Sequence, residues 1–225
     1  MGRVEWWSKV VIYFSAILPV FRLIALACLT VACTTTTPLA AGVWPLEDNT
    51  APLPTSATDT FPETLSVVTG AQSAYSWAHG KAYVRAAPAD VWRAFQDPEV
   101  VVDRHGTDSH TVALNNEPEY AFSFLIHYDK SIVNWDEQWR YGVPDGTFSD
   151  PQLALIRYQK VDGTSFITLL EGSITVREVA GEPAVAIVEF INHINAADSD
   201  TSTAVRTLNN QYSSVLAKVK GQPLP

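Results

Sequence analysis

The sequence predicts an α+β domain in which a curved antiparallel sheet wraps around one long C-terminal helix. Long stretches between about residues 120 and 194 alternate apolar and polar residues with period two, as strands do. Turn-forming pairs such as Asp162-Gly163 separate these stretches and favour antiparallel neighbours. The segment before Gly221 instead carries apolar residues at helical spacing.

The first 33 residues have the features of a bacterial lipoprotein signal. Arg3 and Lys9 lie near the start, and Arg22 stands just ahead of an uncharged apolar stretch, Leu23–Ala32, that leads to Cys33. The segment Leu29–Cys33 resembles the lipobox of bacterial lipoproteins, although Thr30 stands where leucine is favoured. We therefore expect Cys33 to be lipidated and to hold the chain at a membrane. Two or more acyl chains give stable attachment.

An uncleaved transmembrane helix is the alternative interpretation of this segment. The stretch Val10–Ala32 is long for a signal and close to the ~20 residues that span a bilayer. Cys28 also follows an alanine, but Arg22 would then interrupt its apolar core. Thr34, rather than aspartate, follows the preferred cysteine. The lipoprotein resemblance then implies an outer-membrane location in the bacterial cell envelope, facing the periplasm or the cell surface.

Composition excludes several classes of function. The formal net charge is −9, and because residues 1–33 contribute +2, the remainder carries −11. Such an acidic surface argues against nucleic-acid binding. Both cysteines lie in the first 33 residues, so the exported domain forms no internal disulfide and depends on its packed core. We expect it to be a monomer.

Residues 34–65 are predicted to be a disordered Thr/Pro/Ala-rich tether, and residues 66–225 to be the folded domain. Five prolines in the tether block regular ladders and favour extended backbone. Docking of Trp44 and Leu46 on the domain is the alternative.

The domain begins with a strand and two short helices. The alternating segment Ala82–Ala86 suits a strand. Pro88 is placed for the first turn of a helix, and Asp97 is a suitable N-cap for a second short one. The first helix has one apolar face, formed by Val91, Trp92 and Phe95.

The middle of the domain is predicted to be a run of strands. One apolar face consists of Tyr120, Phe122, Phe124, Ile126 and Tyr128. The next segment places on one face Val133, Trp135, Glu137, Trp139 and Tyr141. Three further strands are predicted at 153–160, 165–179 and 184–194.

The C-terminal helix follows a group of candidate N-caps, Asp200 to Ser202, and ends before Gly221 and Pro223. Its apolar stripe consists of Val205, Leu208, Tyr212, Val215, Leu216 and Val219.

This order of elements resembles the helix-grip fold of the START/SRPBCC superfamily, which includes polyketide cyclase-like domains. The segment Ala86–Trp92, followed by Asp97-Pro98, is similar to the first strand-to-helix passage there. The resemblance covers about residues 75–220. It implies an apolar cavity between the sheet and the terminal helix. Members bind lipids, sterols, quinones and polyketides, and a minority catalyse cyclisation or hydrolysis.

Aromatic residues on the predicted inner faces are candidates for lining such a cavity, because each buries a large area that suits a hydrocarbon ligand. The alternative is that they fill the core. With Glu137, the ligand-binding candidates are Tyr120, Phe122, Phe124, Trp135, Trp139 and Tyr212.

Glu137 is the candidate for catalysis, with His127 or Arg140 as its acid–base partner. It lies on a predicted apolar face, where an unpaired carboxylate is unfavourable. A structural ion pair, or exposure to solvent, would also explain it. Glu171 and Glu189 raise the same question.

The sequence offers no sign of a metal or cofactor. The five histidines show no metal-like short spacing, and the cysteines are in the anchor. Nucleotide-binding and serine-hydrolase motifs are missing from the sequence. We therefore expect a membrane-tethered protein that binds a hydrophobic small molecule. A cyclase- or hydrolase-like enzyme and a non-binding structural lipoprotein are the alternatives.

Overall fold

The structure, a computed structural model, describes residues 43–197 and 199–225. The predictions for the signal, for Cys33 and for residues 34–42 fall outside these residues. In chain order the strands and helices are β1 (Ser66–Ala71), β2 (Ser76–Val84), α1 (Pro88–Phe95), a 3₁₀ turn (Pro98–Val100), β3 (Ser109–Leu114), β4 (Phe122–Lys130), β5 (Val133–Gly146), β6 (Pro151–Gly163), β7 (Ile167–Val179), β8 (Glu182–Ala196) and α2 (Thr201–Val219).

All eight strands form one antiparallel sheet in the order β1-β2-β8-β7-β6-β5-β4-β3. Helix α2 lies against β1, β2 and β8, and α1 packs between α2 and the middle strands. The sheet face toward α2 is called the inner face and the opposite one the outer face. The predicted helix-grip fold is confirmed.

Local sequence signals set the ends of the helices. The side chain of Asp200 accepts hydrogen bonds from the backbone N–H groups of Ser202 and Thr203, at 2.8 and 3.2 Å. An N-cap of this kind stabilises a helix by about 1 kcal/mol. Pro88 opens α1, and Asp97 caps the 3₁₀ turn by accepting from Glu99 N at 3.1 Å.

The core lies between the inner face and the two helices. Its centre is aromatic, and the predicted apolar stripe of α2 packs into it through Leu208, Tyr212 and Val215. Among the largest fully buried side chains are Trp92, Phe95, Phe124, Tyr128, Trp139, Tyr141 and Tyr158. Within the described ranges, neither helix has the length and apolar character needed to cross a membrane.

Strand β3 was not predicted. It lies at the edge of the sheet with β4 as its single neighbour, and most of its side chains are exposed. A strand that buries so little carries no clear alternation of apolar residues. The sequence signal for it is therefore weak.

Residues 43–65, here called the strap, also differ from the prediction of a disordered tether. Asn49 Nδ2 donates to the backbone carbonyls of Gly80 and Phe190, at 3.1 and 3.0 Å. Val43 and Ala51 are buried. Individual side chains therefore hold this proline-rich segment against the sheet, although its backbone forms no ladder. The alternative of docking fits better, although Trp44 itself is exposed.

The strap ends beside the last turn of α2. Glu63 accepts a hydrogen bond from Lys220 Nζ at 2.6 Å, and Asp59 pairs with Arg85. The described part of the strap thus touches both the outer face and the end of the terminal helix.

Candidate functional site

A cavity of about 490 Å³ lies between the inner face and the first half of α2. The ends of five strands, β4 to β8, and the loop after the 3₁₀ turn supply its walls. Most of the wall is apolar, with Val133, Trp135, Ile167, Leu170 and Ile194 among its residues. The cavity therefore combines apolar walls with a small polar region.

Glu137 lies in the wall of this cavity and is only 7% exposed. Its Oε1 accepts a hydrogen bond from Trp135 Nε1 at 2.8 Å. Burial raises the pKa of Glu137 to about 7, and the negative charge of Asp103 acts in the same direction. Trp139 is a second, weaker donor toward the same carboxyl, but its Nε1 makes no hydrogen bond of normal geometry. The carboxyl therefore exchanges its proton near neutral pH.

A second polar group surrounds Tyr158, whose side chain also lines the cavity. Asn192 Nδ2 donates to the Tyr158 hydroxyl at 2.8 Å, and that hydroxyl donates to Ile191 O at 3.4 Å. Gln211, which projects from α2, lies beside the same hydroxyl. Burial raises the pKa of Tyr158, so the hydroxyl stays protonated.

Gly172 makes room for this arrangement. It pairs with Tyr158 across the β6–β7 ladder. A Cβ atom at Gly172 would lie 2.3 Å from the Tyr158 hydroxyl and 2.3 Å from Ile191 O. The described β7 pairings contain no bulge at this glycine, so its role is close approach of the tyrosine ring.

The mouth of the cavity is charged. Lys130 and Arg206 are exposed side chains at its rim, and Asp103 also lines the cavity. Asp103 Oδ1 accepts hydrogen bonds from Asn210 Nδ2 and Gly106 N, both at 3.0 Å. His105 belongs to the same loop and is exposed.

Of the seven predicted ligand-binding residues, only Trp135 and Glu137 line the cavity. Trp139 and Phe124 stack on each other deeper in the core, at 5.8 Å between ring centroids. Phe122 packs against the same core cluster. Their proposed contact with a ligand stays a prediction.

The other two predicted residues lie elsewhere. Tyr120 lies under the Arg140 guanidinium, 5.6 Å from it, on the outer side. Tyr212 donates to Tyr83 O at 3.1 Å and packs edge-on against Phe190. The alternation of apolar and polar residues predicts which face of a strand a residue occupies. It does not predict whether that residue lines the cavity or packs in the core, because this depends on its position along the strand.

The predicted acid–base partners of Glu137 are not assembled. Glu137 pairs with Ile126 in the ladder, and His127 pairs with Asp136, so His127 points to the outer face. Its Nδ1 lies 2.5 Å from Asp136 Oδ1, and this hydrogen bond raises the His127 pKa. Arg140 also points outward, where it forms a bidentate pair with Glu117 at 2.6 and 2.8 Å.

The structure also brings together three residues of the outer face that the sequence spacing did not connect. Glu47, from the strap, lies with Oε1 2.6 Å from His79 Nε2 and 3.1 Å from His193 Nε2. These ligand-type atoms all lie within 4.8 Å of one another, a spacing that could hold a metal ion. Thr50 N, however, donates to His79 Nδ1. The His79 proton is therefore on Nε2 and bonds to Glu47, which leaves no lone pair for a metal.

The sequence reasoning missed the polar group of the cavity, which consists of the lining residues Tyr158 and Gln211 and their neighbour Asn192. A signal for two of them was present. Asn192 interrupts the inward apolar run of β8, and Gln211 stands between Leu208 and Tyr212 on the buried side of α2. A buried amide on an apolar face needs a partner, and this marks it for attention.

Comparison with known proteins gives likenesses of structure only. No protein-family model matches the sequence. No curated protein matches it either.

Several solved structures match the fold. The lipid transfer and protein localization domain of human StarD13 matches over 76% of this chain and 88% of its own, with 10% identity and a TM-score of 0.47. The STAR-related lipid transfer protein from Xanthomonas axonopodis matches over 71% and 93%, with 12% identity and a TM-score of 0.44. The Zhui aromatase/cyclase from Streptomyces sp. R1128 matches over 70% and 93%, with 13% identity and a TM-score of 0.40. At these identities and TM-scores, the matches do not indicate what this chain binds.

Proposed function

We propose that this chain is a membrane-tethered protein that binds one hydrophobic small molecule, such as a lipid, quinone or polyketide-like compound, in the cavity under α2. The observation that carries the proposal is the cavity itself, with about 490 Å³ of space and mostly apolar walls. Ligand sites in proteins range over about 300–1,000 Å³ and combine apolar walls with a few polar groups. A non-binding structural protein would have filled this space with side chains.

The apolar wall supplies the affinity in this proposal. Each 100 Å² of apolar ligand surface removed from water contributes about 2.5 kcal/mol before the losses of freedom on binding. The small polar region contributes orientation instead, because each of its groups recognises one kind of hydrogen-bonding partner.

Blocking the cavity tests this proposal. Residues 38–225 include every described element and form one compact unit, so this fragment suits the experiment. Thr207 lines the cavity on α2, whereas Ser213 lies on the exposed side of the same helix. We expect Thr207→Trp to weaken binding of a fluorescent fatty acid at least tenfold and Ser213→Trp to leave it unchanged. Native mass spectrometry of the wild-type fragment from bacterial cells should show a bound molecule. A fragment that is empty and binds no fatty acid or sterol would contradict the proposal.

The tether is the second part of the proposal, and the sequence before residue 34 supports it. Ala32 and Cys33 stand where a lipoprotein is cleaved and acylated, at the end of an apolar stretch. Acylation there would place the cavity at a bacterial membrane, the proposed site being the outer membrane.

Metabolic labelling tests the tether. When the full chain is expressed in a bacterium fed radioactive palmitate, we expect label in the wild type and none in Cys33→Ser. The matched variant Cys28→Ser should stay labelled. Label that survives the loss of Cys33 would contradict acylation at this residue, and an unlabelled wild type would favour the uncleaved transmembrane helix.

An acid–base enzyme is a second candidate, and one observation favours it. Glu137 lies in the cavity wall with a pKa of about 7, which suits a group that gives and takes a proton at neutral pH. In this case Glu137→Gln would keep ligand binding and abolish conversion of the bound compound. Unchanged conversion would remove Glu137 from that role.

A further inference from the structure

The buried polar atoms that lack a partner are gathered around Tyr158, a residue that lines the cavity. In the part of the chain that the structure describes, three buried side-chain nitrogen or oxygen atoms have no hydrogen bond: Trp139 Nε1, Asn192 Oδ1 and Gln211 Oε1. Trp139 stacks on Tyr158 at 4.3 Å, and Asn192 donates to the Tyr158 hydroxyl. Gln211 lies beside the same hydroxyl. All three atoms therefore belong to one cluster around Tyr158.

Such a cluster needs an explanation. Buried polar groups in folded proteins nearly always have a partner, and an unpaired one opposes folding. Chance would scatter unpaired atoms through the core. Of the three residues, Gln211 is the one that lines the cavity, so a molecule bound there can supply the partner that its oxygen lacks.

The arrangement of Gln211 shows where that molecule would bind. Its side chain is 4% exposed, lines the cavity and presents an oxygen without a donor. Glu137 lines the same cavity from the sheet side and offers a proton donor when it is protonated. An acceptor and a donor thus face the same space, and one group that both donates and accepts would satisfy both.

Charge excludes a carboxylate as that group. Two carboxyls already line the cavity, and the negative charge of Asp103 disfavours the ionised form of Glu137. A ligand carboxylate would add a third, whereas Lys130 and Arg206 at the mouth would attract it outward. A neutral group is therefore favoured at the buried end.

We infer that the ligand is an apolar alcohol or phenol whose hydroxyl group enters first, donating to Gln211 Oε1 and accepting from the Glu137 carboxyl. The inference rests on the proposed binding function and names the chemical class of its ligand. A hydroxyl also fits if the Gln211 amide is turned over, because it can accept from the amide nitrogen.

A matched pair of ligands tests the inference on residues 38–225. The two compounds 2-naphthol and 2-methylnaphthalene have nearly the same shape but differ in the hydroxyl group. We expect the wild type to bind 2-naphthol about tenfold more tightly, the ratio that one well-formed hydrogen bond supplies. Gln211→Leu should remove this preference while keeping the affinity for 2-methylnaphthalene. Gln222→Leu, at an exposed glutamine, should keep it.

The outcomes separate the two proposals. Equal binding of both compounds by the wild type would overturn the inference, as a water molecule at the cluster would then suffice, but would leave the binding function standing. A preference that survives in a folded Gln211→Leu, checked by its thermal midpoint, would also overturn it. Binding of neither compound would contradict the binding function as well, and the inference with it.

Discussion

The two faces of the sheet differ in whether their carboxyl groups have a charged partner. On the outer face, carboxylates of the described residues are paired with cations or histidines, in the pairs Glu117–Arg140, Glu171–Arg157, Glu189–Arg177 and Glu47–His79. On the inner face, Glu137 has an indole donor and no cation among its described hydrogen-bond and ion-pair partners. Both faces come from the same strands, because successive residues alternate between them.

The difference separates structure from function. Partly exposed ion pairs contribute about 0–1 kcal/mol each, so the outer face is a set of modest stabilising contacts. A buried carboxyl without a counter-charge opposes folding instead. The inner face therefore keeps an unfavourable group next to open space, which is typical of binding and catalytic sites.

Glu137→Gln, which tests the inner face, should produce the largest change in stability. Below about pH 4.5 the carboxyl is protonated in both the folded and the unfolded chain. Between that pH and the folded-state pKa of about 7, the unfolded chain ionises first, which lowers the stability of the wild type as pH rises. Glutamine does not ionise and can still accept from Trp135. We expect the free energy of unfolding of Glu137→Gln, relative to wild type, to rise by about 3 kcal/mol from pH 4.5 to pH 8 in urea titrations.

Asn49→Ala should produce an intermediate effect and tests the strap on the outer face. The amide donates to the carbonyls of Gly80 and Phe190 and accepts from Ala51 N at 3.0 Å. We expect loss of these three bonds to lower the free energy of unfolding by about 2 kcal/mol. The control is Asn209→Ala, whose amide is exposed on α2. A disordered tether, as the sequence predicted, would give no difference between the two variants.

Glu171→Gln should produce the smallest effect, with the opposite pH dependence to Glu137→Gln. Hydrogen bonding to His193 is the largest cause that lowers the pKa of Glu171 below its usual value. The stabilisation that the ionised Glu171 gives to the folded chain is therefore present above about pH 4.5 and is lost as pH falls through the folded-state pKa. We expect the variant to be less stable than wild type by a fraction of 1 kcal/mol at pH 7, and equal to it in acid. The same sign for both glutamates would end the distinction between the faces.

The fold could be predicted from the sequence wherever buried residues recur at the spacing of a strand or a helix. Phe124, Ile126 and Tyr128 of β4 are buried as predicted, and the predicted stripe of α2 is buried or partly buried, because each element places one side against the core. The capping residues Asp200 and Asp97 followed from local chemistry, which needs no tertiary information. These signals lie within one element, so the sequence alone contains them.

The candidate site could be predicted from the sequence only in part. Which residues line it depends on their position along a strand and on partners that are distant in the chain. Trp135 and Trp139 are equivalent in the alternation of β5, yet only Trp135 reaches the cavity. The Tyr158 cluster combines residues of β6, β8 and α2, and no spacing in the sequence links them. His79 and His193 are likewise 114 positions apart in the chain and meet through the pairing of β2 with β8.

The strap has a consequence for the order of folding. Its contacts with Ser173 and His193 join residues 127 and 146 positions apart. During synthesis, Ser173 and His193 are therefore added to the chain long after the strap. Contacts this distant form late and slow the search for the native state. We expect these early-synthesised residues to be the last to find their place, arriving only when the final strand has joined the sheet.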